Sequence, residues 1–196
     1  LGQGKKPEGD LKETRKGGSF RREFLQFLIL FFILWLFSFL LTRRLPGITE
    51  NLQIYVAREV AFCLDLLGYR FELDGALFTF FADHGGERLR VIPECTGLFT
   101  TIIYLSIIGA YPARIGEKLL GLLIGVPAIH LLNLFRMVFV SLVLYHKREL
   151  FDFFHGYLWQ VSFVIFMLLL VIFWMGKIVK RPGAKISAEA ARADEK

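Results

Sequence analysis

The stretch FLQFLILFFILWLFSFLL, residues 24–41, carries no charge over eighteen residues and is fenced by Arg21 and Arg22 before it and Arg43 and Arg44 after it. A bilayer hydrocarbon core of about 30 Å takes roughly 20 helical residues, so this segment predicts a membrane-spanning helix. A secretory signal peptide would look similar, but no small-residue cleavage site follows, and the segment is read as an anchor. Three further stretches predict spans, at 95–113, 119–145 and 156–176; among these, 119–145 is interrupted by one charge, Arg136. Composition agrees. Hydrophobic residues make up 55% of the 196, phenylalanine alone numbers 21, and mean hydropathy is +0.50, more apolar surface than a soluble domain carries. The net charge of +6 would suit nucleic acid, yet most basic residues flank apolar runs, as membrane orientation requires, and no nucleic-acid partner is predicted.

Lysine and arginine set the direction of the spans. The N-terminal tail, the loop around Arg114 and Lys118 and the C-terminal tail hold 15 of them, against 8 in the segment from Arg43 to Arg90 and the loop with Lys147 and Arg148. The richer side faces the cytoplasm, which places both termini inside and overrides the dissenting Arg43–Arg44 pair. The chain opens on Leu1, which leaves an alternative start, truncation or processing open. It divides into a polar, basic cytoplasmic tail at 1–23, predicted to be disordered, a membrane domain at 24–176 and a second cytoplasmic tail at 177–196. The predicted fold is an all-α polytopic membrane protein, a four-transmembrane-helix bundle, with one sizeable outer segment at 45–94. Within that segment Ile48, Leu52, Val56, Val60, Cys63 and Leu67 recur at helical spacing, predicting an amphipathic helix on the outer membrane surface that ends near Gly68, with Cys63 as a core residue. The alternation after it, with turns at Asp74–Gly75 and Gly85–Gly86, predicts a small β-meander.

This topology gives three chemically capable residues one depth. Cys95 begins the second span as it descends from the outer face. Arg136 lies 18 residues beyond Lys118, about 27 Å along a rising helix and nearly the whole core thickness. His155 begins the fourth span as it descends. Taken singly each has a plain reading: a packed thiol, an arginine paired with Glu94 or Asp152 or bound to lipid phosphate, an interfacial imidazole. Arg136 is the hardest to set aside, because an arginine within a span costs about 2.5–3.5 kcal/mol on insertion scales. Together they form a nucleophile, a cation to stabilise its thiolate or the oxyanion it generates, and a general acid/base. The helix N-terminus favours the thiolate at Cys95, while the neighbouring Glu94 opposes it. Asn133, one turn before Arg136, is placed to orient the guanidinium, and Trp159, one turn after His155, to pack or to line a groove.

Elsewhere, Gly121 and Gly125 form a GxxxG pattern for close helix packing within the chain, Pro127 is a potential kink, and His130 is placed to hydrogen-bond a neighbouring helix. His84 and His146 fall in loops, and the spacing of Cys63 and Cys95 matches no metal signature, so neither a metal nor another cofactor is predicted.

The pieces ECTG at 94–97, NLFR at 133–136 and FHGYLWQ at 154–160, in this order and topological placement, resemble the exosortase/archaeosortase family of membrane cysteine transpeptidases. The resemblance covers about 74–175 and implies a short, single-domain form. It implies the roles of Cys95, Arg136 and His155 as catalytic residues, the last being the histidine version of a position that is arginine or histidine, with Glu94, Thr96, Gly97 and Asn133 in the motifs around them. It further implies that the substrates are secreted proteins carrying a C-terminal motif, a transmembrane helix and a basic cluster. They would be cleaved through a thioacyl-enzyme on the outer face of the cytoplasmic membrane and passed to a lipid or surface acceptor. Two other functions compete: a non-catalytic membrane scaffold or assembly factor, and a cysteine-dependent membrane acyltransferase. A thiol oxidoreductase is disfavoured, because no second cysteine lies near Cys95.

Overall fold

The computed structural model describes residues 8–82 and 85–179. Five helices and one small sheet follow in the order α1 (Glu8–Arg44), α2 (Pro46–Leu66), β1 (Phe71–Asp74), β2 (Leu77–Ala82), β3 (Gly85–Arg90), α3 (Leu98–Ala110), α4 (Ile115–His146) and α5 (Trp159–Phe173). Among the described residues, three helical stretches are long and apolar enough to cross a membrane: Arg21–Arg44, Ile115–His146 and Arg148–Ile178. With so much apolar surface facing outward, the protein is a multi-pass membrane protein.

The boundaries depart from expectation in three places. Helix α1 begins at Glu8 and runs through Gly9, Gly17 and Gly18, which lie in the stretch expected to be disordered. Residues 1–7, most of the C-terminal tail and His84 lie outside the described residues. The segment predicted as the second span contains a helix of only 13 residues, α3, about 20 Å long. The fourth helical stretch starts at Arg148 rather than near 156, and passes through a wide turn at Phe153–Leu158 before α5.

Helices α1 and α3 lie antiparallel. The Phe39 ring meets Phe99 at 6.2 Å at one end, and Leu34 abuts Gly109 towards the other. Helix α4 packs against α3 through Gly121 and Gly125, as the GxxxG pattern predicts. A Cβ at Gly125 would overlap the Tyr104 ring, and one at Gly121 would overlap the Trp174 indole. The freed space lets the Tyr104 hydroxyl donate to the Gly121 carbonyl (2.9 Å) and the Trp174 Nε1 to the Glu117 carbonyl (2.8 Å). Helix α4 runs through Pro127 without interruption, and His130 meets Glu59 of α2 at 2.9 Å, the neighbouring-helix contact expected of it.

The last part of α4 joins α2, the sheet and Cys95 itself in one core. Val56, Ala57, Val60 and Leu64 of α2, Phe78 and Phe80 of β2, Leu89 of β3 and Met137 and Leu144 of α4 are buried together. The buried stripe of α2 is therefore centred on Val60. Ile48 (59% exposed) and Leu67 (56%) lie outside it, and Cys63, at its flank, is only partly buried rather than core. The apolar face of α2 has found protein to cover it. The meander is present, with antiparallel order β1-β2-β3. Gly75 takes φ 59° in the two-residue turn between Asp74 and Leu77, a conformation that suits glycine. Gly85 and Gly86 are not the second turn but the first residues of β3, paired with Ala82 and Phe81.

Candidate active site

Pro93 opens a 3₁₀ turn, Pro93–Thr96, and Gly97 closes it with φ 73°, after which α3 begins. Cys95 thus stands in this turn ahead of the helix rather than on its first residue. The turn is held from several sides. The Cys95 N–H donates to the Ile92 carbonyl (2.8 Å), and the Thr96 hydroxyl donates to the Pro93 carbonyl (2.7 Å) while accepting from the Leu98 N–H (3.3 Å).

Helix α4 supplies the other supports. Asn133, fully buried, donates from Nδ2 to the Cys95 carbonyl at 2.9 Å. It therefore fixes the Cys95 backbone, where the sequence suggested it would orient Arg136. Gly97 packs onto the same residue, since a Cβ there would come within 3.3 Å of Asn133 Cβ and Cγ. One turn on, Arg136 directs Nη2 at the Cys95 Sγ, 3.8 Å away, and lays its guanidinium over the Phe163 ring at 5.5 Å. Among the described residues neither Glu94 nor Asp152 forms an ion pair with it, so the structural pairing considered for this arginine is not what holds it.

Cys95, Arg136 and His155 line one pocket of about 470 Å³, with Glu94, Trp159 and Gly156 also on its wall. The sequence reading omitted Thr100, Gln160 and Phe163, which line it too. Gln160 ends the FHGYLWQ motif, and Phe163 lies one turn after Trp159, so helical periodicity alone could have proposed them. Trp159 is buried as well as lining, edge-on to Phe135 (6.0 Å) and Phe139 (5.7 Å). His155 stacks flat on Phe151 with centroids 5.1 Å apart. Its Nδ1 has no hydrogen-bond partner among the described residues, so stacking rather than a carboxylate orients the ring.

Cys95 is 2% exposed. The Arg136 guanidinium against its sulfur favours the ionised form. Among the described residues no cluster of histidine, cysteine and carboxylate side chains is arranged to hold a metal ion.

Residues 16–175 match the family model described as Transmembrane exosortase (Exosortase_EpsH). Among curated proteins, Archaeosortase A of Haloferax volcanii is 37% identical over 109 residues, which are 53% of this chain and 36% of that protein. The matched part thus spans well under two thirds of the relative's length. No solved structure matches the chain. With 160 consecutive residues covered by one family model, the chain belongs to the transmembrane exosortase family.

Proposed function

We propose that the protein is a membrane-embedded cysteine transpeptidase that cleaves the C-terminal sorting signal of secreted proteins at the outer face of the cytoplasmic membrane. The observation that carries this reading is the 3.8 Å approach of Arg136 to the Cys95 sulfur inside a pocket that His155 also lines. A cation brought to a thiol from another helix, without a carboxylate partner, has the arrangement that thiolate chemistry needs.

In the proposed reaction the Cys95 thiolate attacks the carbonyl carbon of the scissile peptide bond, its proton having passed to His155. Negative charge moves to the carbonyl oxygen, where the Arg136 guanidinium stabilises it. The C–N bond then breaks, and the imidazolium of His155 returns the proton to the departing amine. The acyl group remains on sulfur as a thioester. An acceptor nucleophile, a lipid or surface component, gives its proton to His155 and attacks the thioester, and the thiol is restored.

Four crossings with both termini cytoplasmic place this pocket on the outer side. The excess of lysine and arginine on the tails supports that orientation. Helix α3, though short, supplies the second crossing together with the turn before it and residues 111–113 after it. The relative's name, Archaeosortase A, agrees with a sorting role. Substrates carrying a motif, an apolar span and a basic cluster would present the cleaved bond just outside the bilayer, at the level of Cys95.

The test is Cys95→Ala in cells that process a signal-bearing secreted protein. Processing stops while the variant remains membrane-inserted and as abundant as the parent. Normal processing would leave a scaffold as the better reading.

A further inference from the structure

Strand β3 is an open edge that leads straight to the nucleophile. Its hydrogen-bond register fixes which of its backbone groups are spoken for. The Val91 N–H donates to the Ala76 carbonyl (2.8 Å), and Leu77 pairs with Arg90, so odd-numbered residues of this stretch bond to β2. The Phe81 N–H donates to the Arg70 carbonyl (3.4 Å), which shows the same alternation on the other side of β2. The N–H and C=O groups of Gly86, Arg88 and Arg90 therefore point away from the sheet. Among the described residues no hydrogen bond uses them. Such a row is a ready template for another extended chain.

That edge fronts a cavity next along the chain from the active-site pocket. A cavity of about 230 Å³ lies between Glu87 and Arg88 on one wall and Arg148, Phe151 and Asp152 on the other. The catalytic pocket lies between Ile92 and Cys95 on one wall and His155 and Gly156 on the other. In both, the first wall is the chain running from β3 to Cys95 and the second is the chain running from Arg148 to Gly156. Phe151, which closes the upper cavity, stacks on His155 of the lower one. Among the described residues the one bond across the upper cavity is the Arg148–Glu87 ion pair at 2.7 Å. Arg148 is largely exposed, so that pair is cheap to open.

We infer that the extracytoplasmic part of the substrate binds as an added strand on the free edge of β3, its backbone bonded to Gly86, Arg88 and Arg90 and its chain running along the two cavities to Cys95. This rests on the transpeptidase reading above and names what that site takes: an extended polypeptide recognised through its main chain. A substrate whose membrane anchor follows the cleaved bond runs parallel to β3, because both chains then descend towards the membrane. Side-chain selection falls to alternate residues of the added strand.

The test needs no chemistry at Cys95, so its outcome is separate from that of the transpeptidase reading. In a Cys63→Ala, Cys95→Ser background, Ile92→Cys provides an exposed thiol at the end of β3. A hexapeptide of alternating threonine and valine ending in cysteine is joined to it as a mixed disulfide, in phospholipid nanodiscs. Gly156→Cys, whose added Cβ meets open space on the facing wall, provides a second attachment point should the first variant misfold. Residue-resolved hydrogen exchange should slow at least tenfold at Gly86, Arg88 and Arg90. It should stay unchanged at Glu87 and Leu89, which already bond to β2, and the slowing should vanish when the peptide's alternate amides are N-methylated. No slowing with the unmethylated peptide, or equal slowing with the methylated one, overturns the inference.

Discussion

At the scale of single residues, the site depends on two side chains from one turn of α4 that do different work. Arg136 touches the sulfur, and Asn133 holds the backbone that carries it. Arg136→Lys should lower processing at least a hundredfold with the protein still folded, because an ammonium cannot present the flat fork that reaches sulfur while lying on Phe163. Asn133→Ala should cost about 1–3 kcal/mol of stability by leaving a buried carbonyl unpaired, measurable as a lower unfolding midpoint in detergent. The thiol adds a chemical signature, its alkylation by a small reagent. Removing the guanidinium in Arg136→Leu withdraws a group that favours the thiolate, so the rate at pH 8 falls. A faster rate in that variant would show that the arginine does not stabilise the thiolate. The convergence of Cys95, Arg136 and His155 on one pocket was legible because each is an expensive or reactive group near the end of an apolar run. The partner of Asn133 was not, because spacing along one helix shows which residues share a face and not what a second helix brings to it.

Among the elements, the turn Pro93–Gly97 decides where the nucleophile sits. Hydropathy merges it with the apolar run that follows, and this is why Cys95 read as the first residue of a span. Proline at its start and glycine in a left-handed conformation at its end mark a separate unit. Gly97→Ala should destabilise the protein by about 1–3 kcal/mol and reduce processing. An alanine there would sit in a left-handed backbone and press on Asn133, displacing the Cys95 carbonyl from its donor. Melting and turnover measured together check both effects, and unchanged values would show the turn to be adaptable. The long helices and the meander were legible from period and turn chemistry. The burial of α2 was less so, since an amphipathic face looks the same whether lipid or protein covers it, and here Met137, Leu144 and the sheet cover it.

For the whole molecule, the cap built from α2, the sheet and the end of α4 stands on the same side as the active-site pocket, and the orientation proposed from the charge balance would put that side outside the cell. In a Cys63→Ala background, a membrane-impermeant maleimide should label Lys147→Cys in intact cells and Gly116→Cys only after permeabilisation. The reverse pattern would invert the orientation. The proposed orientation rests on charge counting, because lysine and arginine resist translocation wherever the helices pack. The docking of the cap onto α4 depends on contacts between residues more than seventy positions apart, such as Tyr69 with His146 at 2.9 Å, which no local pattern encodes. The central claim is that a polypeptide passes through covalent attachment to Cys95. Mass spectrometry of the protein purified from cells with a signal-bearing substrate and a limiting acceptor addresses it most directly. The account predicts a peptide fragment on Cys95, released by hydroxylamine as a thioester should be and absent from Cys95→Ala. Substrate cleavage with Cys95 unmodified throughout, at the same rate in Cys95→Ala, would contradict it.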